Sequence, residues 1–383
     1  MEIYSKIFAN NLKGMRKHMR WTQEELAARL GYTEKAISKW ERGFTIPPAE
    51  TIIRIADVFS VSIDELFNRH SQPAYYLGID GGATKTTFAL ADAEGNILDK
   101  IVLGSSNPSD MGFEASTRVL SNGINRITAN IHNRKISMFA GISGGGVKET
   151  REKLRIFFEN FGFMHSENAS DGDNIVAAGL EDQDGITVIM GTGSSCFAKI
   201  RENVTRIGGL GYLFDHAGGG YDLGNAAISC ACKAEDGNGE PTLLHEYMLR
   251  ELGTPTVTEN IAKFYTMGKT GIASFAQLVF EAFANGDAVA TAVVRENMKH
   301  VARLIATAYR RFFDGKTNVN TVLVGGLTKS SHLFDSVLKE ELCALGMEGK
   351  ISYRYFEGDV VVGALYKAGM PIPAKQNLCS ENN

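Results

Sequence analysis

The sequence has few cysteines, no long apolar run and little net charge, and each absence excludes a class of protein. Its five cysteines (Cys196, Cys230, Cys232, Cys343 and Cys379) show neither a disulfide framework nor the usual spacing of zinc ligands. No apolar run reaches the ~18 residues that a membrane-spanning helix needs, and no signal peptide is recognisable. We therefore expect a cytoplasmic protein with no membrane partner.

The charge is small but unevenly distributed along the chain. The whole sequence of 383 residues has a formal charge of -4, whereas residues 1–70 hold 11 Lys/Arg against 9 Asp/Glu. An excess of two is slight, so any affinity for DNA must come from the arrangement of these charges. The 44% hydrophobic and 22% charged residues are typical of a globular protein, and the length predicts two or three domains.

The first 67 residues predict short amphipathic helices separated by tight breaks. Thr22 begins one helix, and Glu25 completes a capping box with it. Gly31 ends that helix, and Thr33 caps the next one, which runs to Trp40 or Glu41. The helical spacing predicts a buried seam formed by Leu26, Ala27, Leu30, Ile37 and Trp40.

Residues 23–43 closely resemble the helix-turn-helix of the Cro/C1 repressor family, the Xre type. The resemblance implies that the second helix enters the major groove of a DNA operator, and that the protein binds it as a homodimer. The outward-facing residues of that helix are Thr33, Glu34, Lys35, Ser38 and Lys39. Gln23 is placed to bond a phosphate or an adjacent base. A module that mediates only protein contacts is the alternative; we expect DNA binding.

Residues 76–90 predict a β-hairpin whose tip suits a nucleotide phosphate with Mg²⁺. One apolar run ends at the tip and a second follows it. The tip offers a carboxylate, two glycines, hydroxyls and a cation: Asp80, Gly81, Gly82, Thr84, Lys85 and Thr86. Glycines let the backbone approach a ligand, and exposed N–H groups bind anions. Alone, the same residues also describe an ordinary hairpin turn.

Three further segments repeat or complement this hairpin. Residues 186–200 again form strand, tip and strand, with Gly191, Thr192, Gly193 and Ser194 at the tip. Residues 321–331 predict a buried strand that runs through Gly325 and Gly326 into a helix, and residues 358–368 predict a last helix. Each segment alone has an ordinary explanation, but their order along the chain indicates a duplicated fold.

This order resembles the actin/sugar kinase/Hsp70 superfamily and, within it, the BadF/BadG/BcrA/BcrD ATPase family, which includes N-acetylglucosamine kinases. The matching stretches are 78–86, 104–108, 191–194 and 208–212. The implied fold is an all-α helix-turn-helix head (1–69), a linker (70–75) and an α/β two-lobed, duplicated actin-like (ribonuclease H-like) domain (76–375). Lobe I would span about 76–185 with a helix at about 359–370, and lobe II about 186–358.

The resemblance also implies ATP, Mg²⁺ and an amino sugar as ligands. Asp80 would hold Mg²⁺. The other residues of both tips would cradle the phosphates, and Gly325 and Gly326 would contact adenosine. The implied sugar contacts are Asn107, Gly144, Asp215 and His216. The base that accepts the sugar's proton would be Asp171, or Asp173 if one insertion shifts the motif; alternatively, both only cap a helix that starts near Asn174.

The sugar-contacting loop departs from the family pattern, which leaves the function open. His216 stands where the family usually has a glutamate, and a neutral imidazole has one donor and one acceptor. The protein is predicted to be a sugar kinase joined to a DNA-binding head, or a ligand-sensing regulator that no longer phosphorylates, an architecture similar to that of ROK repressors. A CoA-ester reductase activator, whose cysteines bind an iron–sulfur cluster, is the third possibility. Cys230 and Cys232 fit better as buried small apolar residues.

Overall fold

The computed structural model describes residues 2–19, 21–67, 73–131, 135–215 and 218–372. The chain forms two compact units, Met1–Asn174 with Val360–Asn383, and Ile175–Asp359. Among the described helices, none combines the length and the apolar character that crossing a bilayer requires.

The described part of the head contains five helices. They are α1 (Glu2–His18), α2 (Gln23–Leu30), α3 (Glu34–Glu41), α4 (Ala49–Phe59) and α5 (Ile63–Phe67). The predicted capping box is confirmed, because Glu25 N–H donates to Thr22 Oγ1 (3.1 Å) and Thr22 N–H donates to Glu25 Oε2 (2.7 Å). All five residues of the predicted seam are buried, and the other buried residues of this core are Phe8, Leu12, Ile55, Ala56 and Leu66.

The first α/β unit is built on a five-stranded sheet. Its strands are β1 (Tyr75–Gly81), β2 (Lys85–Asp92), β3 (Ile97–Gly104), β4 (Ile136–Ile142) and β5 (His165–Ala169), in the order β3-β2-β1-β4-β5. The hairpins are antiparallel, whereas β1–β4 and β4–β5 are parallel. The helices are α6 (Pro108–Met111), α7 (Phe113–Ile127), α8 (Lys148–Glu159) and the start of α9 (Asp171–Leu180).

The second unit repeats this sheet. Its strands are β6 (Gly185–Met190), β7 (Ser194–Ile200), β8 (Asn203–Ile207), β9 (Val319–Val324) and β10 (Ile351–Tyr355), in the order β10-β9-β6-β7-β8. Its helices are α10 (Gly220–Glu235), α11 (Leu243–Leu252), α12 (Ile261–Thr266), α13 (Gly268–Ser274), α14 (Ala276–Ala284), α15 (Ala288–Phe312) and α16 (Ser331–Ala344), with 3-10 turns at Thr258–Asn260 and Gly326–Ser330. Most of the apolar core of this unit lies among these helices and the sheet.

The last described helix, α17 (Val361–Lys367), belongs to the first unit. It packs on β1, where a Cβ at Gly78 would lie 2.9 Å from Leu365 N. Glycine at that position therefore lets the helix approach the central strand closely.

The expected fold class is confirmed: a helical head precedes an α/β body of two sheets. One helix start was wrong, because α9 begins at Asp171 and not near Asn174. Asp171 and Asp173 lie in its first turn, where the helix dipole stabilises negative charge. The helix therefore begins three residues earlier in the chain than predicted. The short helix α6 was not predicted.

Candidate active site and DNA-binding head

The first hairpin tip has the geometry of a tight, glycine-dependent turn. Gly82 N–H donates to Lys85 O (2.9 Å), and Thr84 and Lys85 are exposed beside it. A Cβ at Gly81 would lie 2.4 Å from Ser106 Oγ, so only glycine fits there. Unlike Thr84 and Lys85, Thr86 is fully buried. Its hydroxyl is the donor toward Gly104 O and Ser106 Oγ, both at 2.8 Å. Thr86 therefore supports the tip from inside.

The loop after β4 joins the tip to the predicted sugar-binding asparagine. Ser143 N–H donates to Gly81 O (2.7 Å). Gly144 has φ +76°, and a Cβ there would lie 2.4 Å from Asn107 Oδ1. Asn107 is only 5% exposed, and its amide accepts from Ser109 N–H (2.9 Å) and donates to Asp110 Oδ2 (2.6 Å). The structure thus places Asn107 and Gly144 against each other, next to the tip.

The same loop reaches the candidate base Asp171 on α9. Gly172 N–H donates to Asp171 Oδ1 (3.1 Å). Burial raises the pKa of the Asp171 carboxyl, whereas the Ser143 side chain, which lies close enough to lower that pKa, and the Gly172 N–H act in the opposite direction. Asp173 has a different partner, because Ser170 Oγ donates to its Oδ2 (2.8 Å). Of the two carboxylates, Asp171 is thus the one whose pKa is affected by burial and by the neighbouring Ser143 side chain.

Asp80 is the predicted ligand of a divalent cation in this unit. It lies half-buried near the end of β1, and one of its carboxylate oxygens accepts from Asn174 Nδ2 (2.8 Å). The described residues contain no cluster of three or more His, Cys, Asp or Glu arranged to hold a metal. A single carboxylate such as that of Asp80 suits Mg²⁺, because this ion is usually held by one or two carboxylates together with waters and substrate phosphates.

The second hairpin tip lies in the other unit, against the start of α10. Gly220 N–H donates to Gly191 O and Tyr221 N–H to Thr192 O (both 2.8 Å). A Cβ at Gly219 would lie 2.6 Å from the Cα of Gly193, so this contact requires glycine. Thr192 is half-buried, Gly193 is exposed and Ser194 is 8% exposed. The tip thus exposes backbone at Gly193 and is held in place by α10.

The remaining predicted residues of the second unit lie in two glycine-containing loops. Asp215 Oδ2 accepts from Leu210 N–H (3.1 Å) and so closes the loop before α10. His216 lies outside the described residues. Gly325 has φ +132°, and a Cβ there would lie 2.4 Å from Met190 O, whereas Gly326 has open space around it. Gly325 therefore allows close contact between its loop and β6.

Cys230 and Cys232 are half-buried on α10 and pack against the apolar core of the second unit. Burial raises the pKa of both thiols. Both features are those of small apolar side chains.

The helix-turn-helix of the head is held by a buried ion pair. Arg16 donates to both carboxylate oxygens of Glu41 (2.6 and 2.9 Å), and Gln23 Nε2 donates to Glu41 Oε2 (2.8 Å). Gln23 is therefore oriented by the end of α3. Along α3, Thr33, Lys35 and Lys39 are exposed, Glu34 and Ser38 are half-buried, and Thr33 Oγ1 caps the helix by accepting from Ala36 N–H (3.4 Å). The structure presents the predicted face on a fixed helix.

Sequence reasoning missed two side chains of the first unit, Ser143 and Asn174. Ser143 connects the tip to Asp171, and Asn174 contacts Asp80. The signal for Asn174 was an amide directly before an apolar run on a predicted helix. Ser143 carried only the signal of a glycine-rich loop after a buried strand.

The chain is similar in sequence and in fold to known proteins. Residues 12–66 match the sequence model of the helix-turn-helix family. An N-acetylmuramic acid/N-acetylglucosamine kinase of Clostridium acetobutylicum is 28% identical over 274 residues, which is 69% of this chain and 89% of that protein. The crystal structure of a proposed N-acetylglucosamine kinase of Chromobacterium violaceum has a TM-score of 0.63 and 25% identity, covering 78% of this chain and 99% of the other.

A ROK family transcriptional regulator, homologous to the Mlc protein of Escherichia coli, is similar in fold over almost the whole chain. Its crystal structure has a TM-score of 0.55 at 11% identity and covers 96% of both chains. The model of the BadF/BadG/BcrA/BcrD ATPase family matches residues 77–368. The chain therefore belongs to the BadF/BadG/BcrA/BcrD ATPase family and has a helix-turn-helix head at its N-terminal end.

Proposed function

We propose that the protein is an ATP-dependent kinase of an N-acetylglucosamine-like amino sugar whose head binds a DNA operator. The observation that carries the kinase is the loop at Ser143, which bonds the first hairpin tip through Gly81 O, adjoins the Asn107 loop through Gly144, and lies beside Asp171 at the start of α9. A cation-binding carboxylate, a sugar-binding amide and a base are the parts that phosphoryl transfer to an alcohol requires.

In the proposed reaction, a sugar hydroxyl oxygen attacks the γ-phosphorus of ATP, and the bond from that phosphorus to the β-phosphate bridging oxygen breaks. Asp171 accepts the hydroxyl proton, and its raised pKa brings it closer to the working pH of a general base. Asn107 and Gly144 orient the sugar. Asp80 holds Mg²⁺, which when bound neutralises negative charge on the phosphate oxygens. In the second unit, Gly191–Ser194 bind the phosphates. Gly325 and Gly326 contact the adenosine, and Asp215 contacts the sugar.

The test is ATP-dependent phosphorylation across hexoses and amino sugars, including N-acetylglucosamine and N-acetylmuramic acid. We expect turnover with at least one amino sugar, lost in Asp171→Asn and retained in Asp173→Asn. Loss in Asp173→Asn alone would assign the base to Asp173. Absence of turnover with the whole panel would contradict the kinase.

The second candidate is a regulator that senses the sugar without phosphorylating it, and His216 in place of the family's glutamate favours it. Thermal shifts with amino sugars in the absence of turnover would support this candidate. Turnover at a rate typical of kinases would exclude it.

The regulatory part of the proposal is that sugar and nucleotide change the affinity of a homodimer for its operator. A ligand shifts such an equilibrium only through different affinities for two states. Selection of bound sequences from random DNA would identify the operator, and light scattering would give the oligomeric state. We expect Lys35→Ala with Lys39→Ala to weaken operator binding without altering sugar turnover. Equal operator affinity with and without ligands would reject the coupling.

A further inference from the structure

Asn174, on α9, is completely buried and shares its amide N–H groups among three oxygens. Nδ2 lies 2.8 Å from Asp80 Oδ1, 3.1 Å from Ile79 O and 3.3 Å from Gly141 O. Its own Oδ1 is buried and has no hydrogen-bond partner among the described residues. Because all three neighbours are acceptors, only the NH₂ end of the amide can face them, which fixes its orientation.

The sheet is shaped to receive this amide. Asp80 on β1 is paired with Gly141 on the parallel strand β4. A Cβ at Gly141 would lie 2.4 Å from the Cγ, Nδ2 and Oδ1 atoms of Asn174. Glycine therefore leaves the space in which the amide lies across the ends of both strands.

The helix that carries Asn174 also carries the candidate base. Asp171 lies three residues earlier in α9, and residues three apart lie on the same side of a helix. One rigid turn of helix thus connects the Asp171 carboxylate to the amide that bonds Asp80. Displacement of Asn174 would change the distance between the two carboxylates.

We propose that Asn174 is a positioning residue: it orients the Asp80 carboxylate toward the cation and fixes its distance from Asp171. The inference rests on the proposed role of Asp80 in holding Mg²⁺. The bonds to Ile79 O and Gly141 O serve the fold alone, whereas the bond to Asp80 Oδ1 is the shortest of the three and acts on the carboxylate itself. Partners that orient a metal-binding carboxylate typically contribute 10–100-fold to metal affinity.

The experiment measures Mn²⁺ binding to the full-length protein by electron paramagnetic resonance, with the non-hydrolysable analogue AMP-PNP present. The variants are Asn174→Ala, Gly141→Ala, which would push the amide away, and Asp80→Asn as reference. Asn260→Ala is the matched control, because Asn260 is also a buried asparagine, 7% exposed, whose Nδ2 donates to Thr254 Oγ1 (2.8 Å). Melting temperatures of all variants are recorded in parallel.

We expect Asn174→Ala and Gly141→Ala to weaken Mn²⁺ binding at least about 10-fold, and Asn260→Ala to lower only the melting temperature. If Asp80→Asn weakens Mn²⁺ binding and both other variants bind as wild type, the inference is wrong and the proposed metal site stands. If Asp80→Asn has no effect either, the metal assignment fails, and the inference fails with it. Should Asn174→Ala not fold, Gly141→Ala decides by the same criterion.

Discussion

The two sheets have the same strand order, yet their hairpin tips differ at the position that would meet a cation. Asp80 pairs with Gly141 near the end of the first central strand. In the second sheet Ile189 pairs with Val324, which aligns Met190 with Gly325. Each tip thus lies beside a glycine at the end of the neighbouring parallel strand. Only the first tip has a carboxylate; the second has a fully buried thioether.

The helices that follow the two sheets show the same asymmetry. Asp171-Gly172-Asp173-Asn174 precedes an apolar run at the start of α9, and Glu357-Gly358-Asp359-Val360 precedes α17. Glu357 is exposed, whereas burial raises the pKa of Asp171. Val360 occupies the place of Asn174. Two sheets of one strand order thus have different residues at corresponding positions, and the residues proposed for the cation and the base, Asp80 and Asp171, both lie in the first unit.

The largest expected effect is on kcat, and it follows from substituting Asp80 in the first tip and, for comparison, Met190 in the second. Asp80→Asn should lower kcat at least about 100-fold, because it removes charge that holds the cation at the phosphates. Met190→Leu conserves side-chain volume and should cost less than about 1.5 kcal/mol of stability, with kcat little changed. Steady-state kinetics at saturating Mg²⁺ and ATP tests both. Equal losses in the two variants would mean that the tips are functionally equivalent.

The second prediction compares the carboxylate at the start of α9, Asp171, with the corresponding one before α17, Glu357. Asp171→Asn should lower kcat by about 10²–10⁴, the usual contribution of a general base. Glu357→Gln, at an exposed position, should have the kcat of the wild type. Single-turnover measurements separate this step from product release. Wild-type kcat in Asp171→Asn, or a loss in Glu357→Gln, would reverse the assignment of chemistry to the first half.

The third prediction tests the glycine that both halves have beside the tip. Gly325→Ala should destabilise the fold by about 1–3 kcal/mol, because φ +132° is strained for alanine and the new Cβ would meet Met190 O. Gly326→Ala is the control, since a Cβ there has open space. Urea unfolding and the KM for ATP of both variants are the measurements. Similar results for the two would show that the close approach at Gly325 is unimportant.

The smallest effect concerns pH and Asp171. Its pKa is raised in the folded state, so the folded protein holds this proton more tightly than the unfolded chain. The resulting stability is present at acid pH and is lost as pH rises through the folded-state pKa. Asp171→Asn should therefore be more stable than the wild type at neutral pH and gain nothing at acid pH. Melting temperatures from pH 3 to 8 test this, and a gain confined to acid pH would contradict it.

The fold could be predicted further than the site. Periodicity, caps and glycine positions placed the head helices and both hairpins, because these are local properties of short segments. The structure places Asn107, Gly144 and Asp171 around one loop, and this could not be derived from spacing: Ser143, which links them, is one hydroxyl in a run of glycines. Thr86 was predicted to contact the phosphates because it belongs to the tip motif. The motif gave no indication that strand pairing directs its side chain into the interior.

The sequence by itself determined the head, the duplication and the family, since these depend on residue types in a fixed order along the chain. Only the tertiary structure gives Asp171 and Asp173 different surroundings, although both lie in one helical turn: Ser170 Oγ donates to Asp173, and burial raises the pKa of Asp171. It also decided the place of Asn174. The amide's three acceptors come from two strands that lie 33 to 95 residues away in the chain, and folding alone brings those strands together.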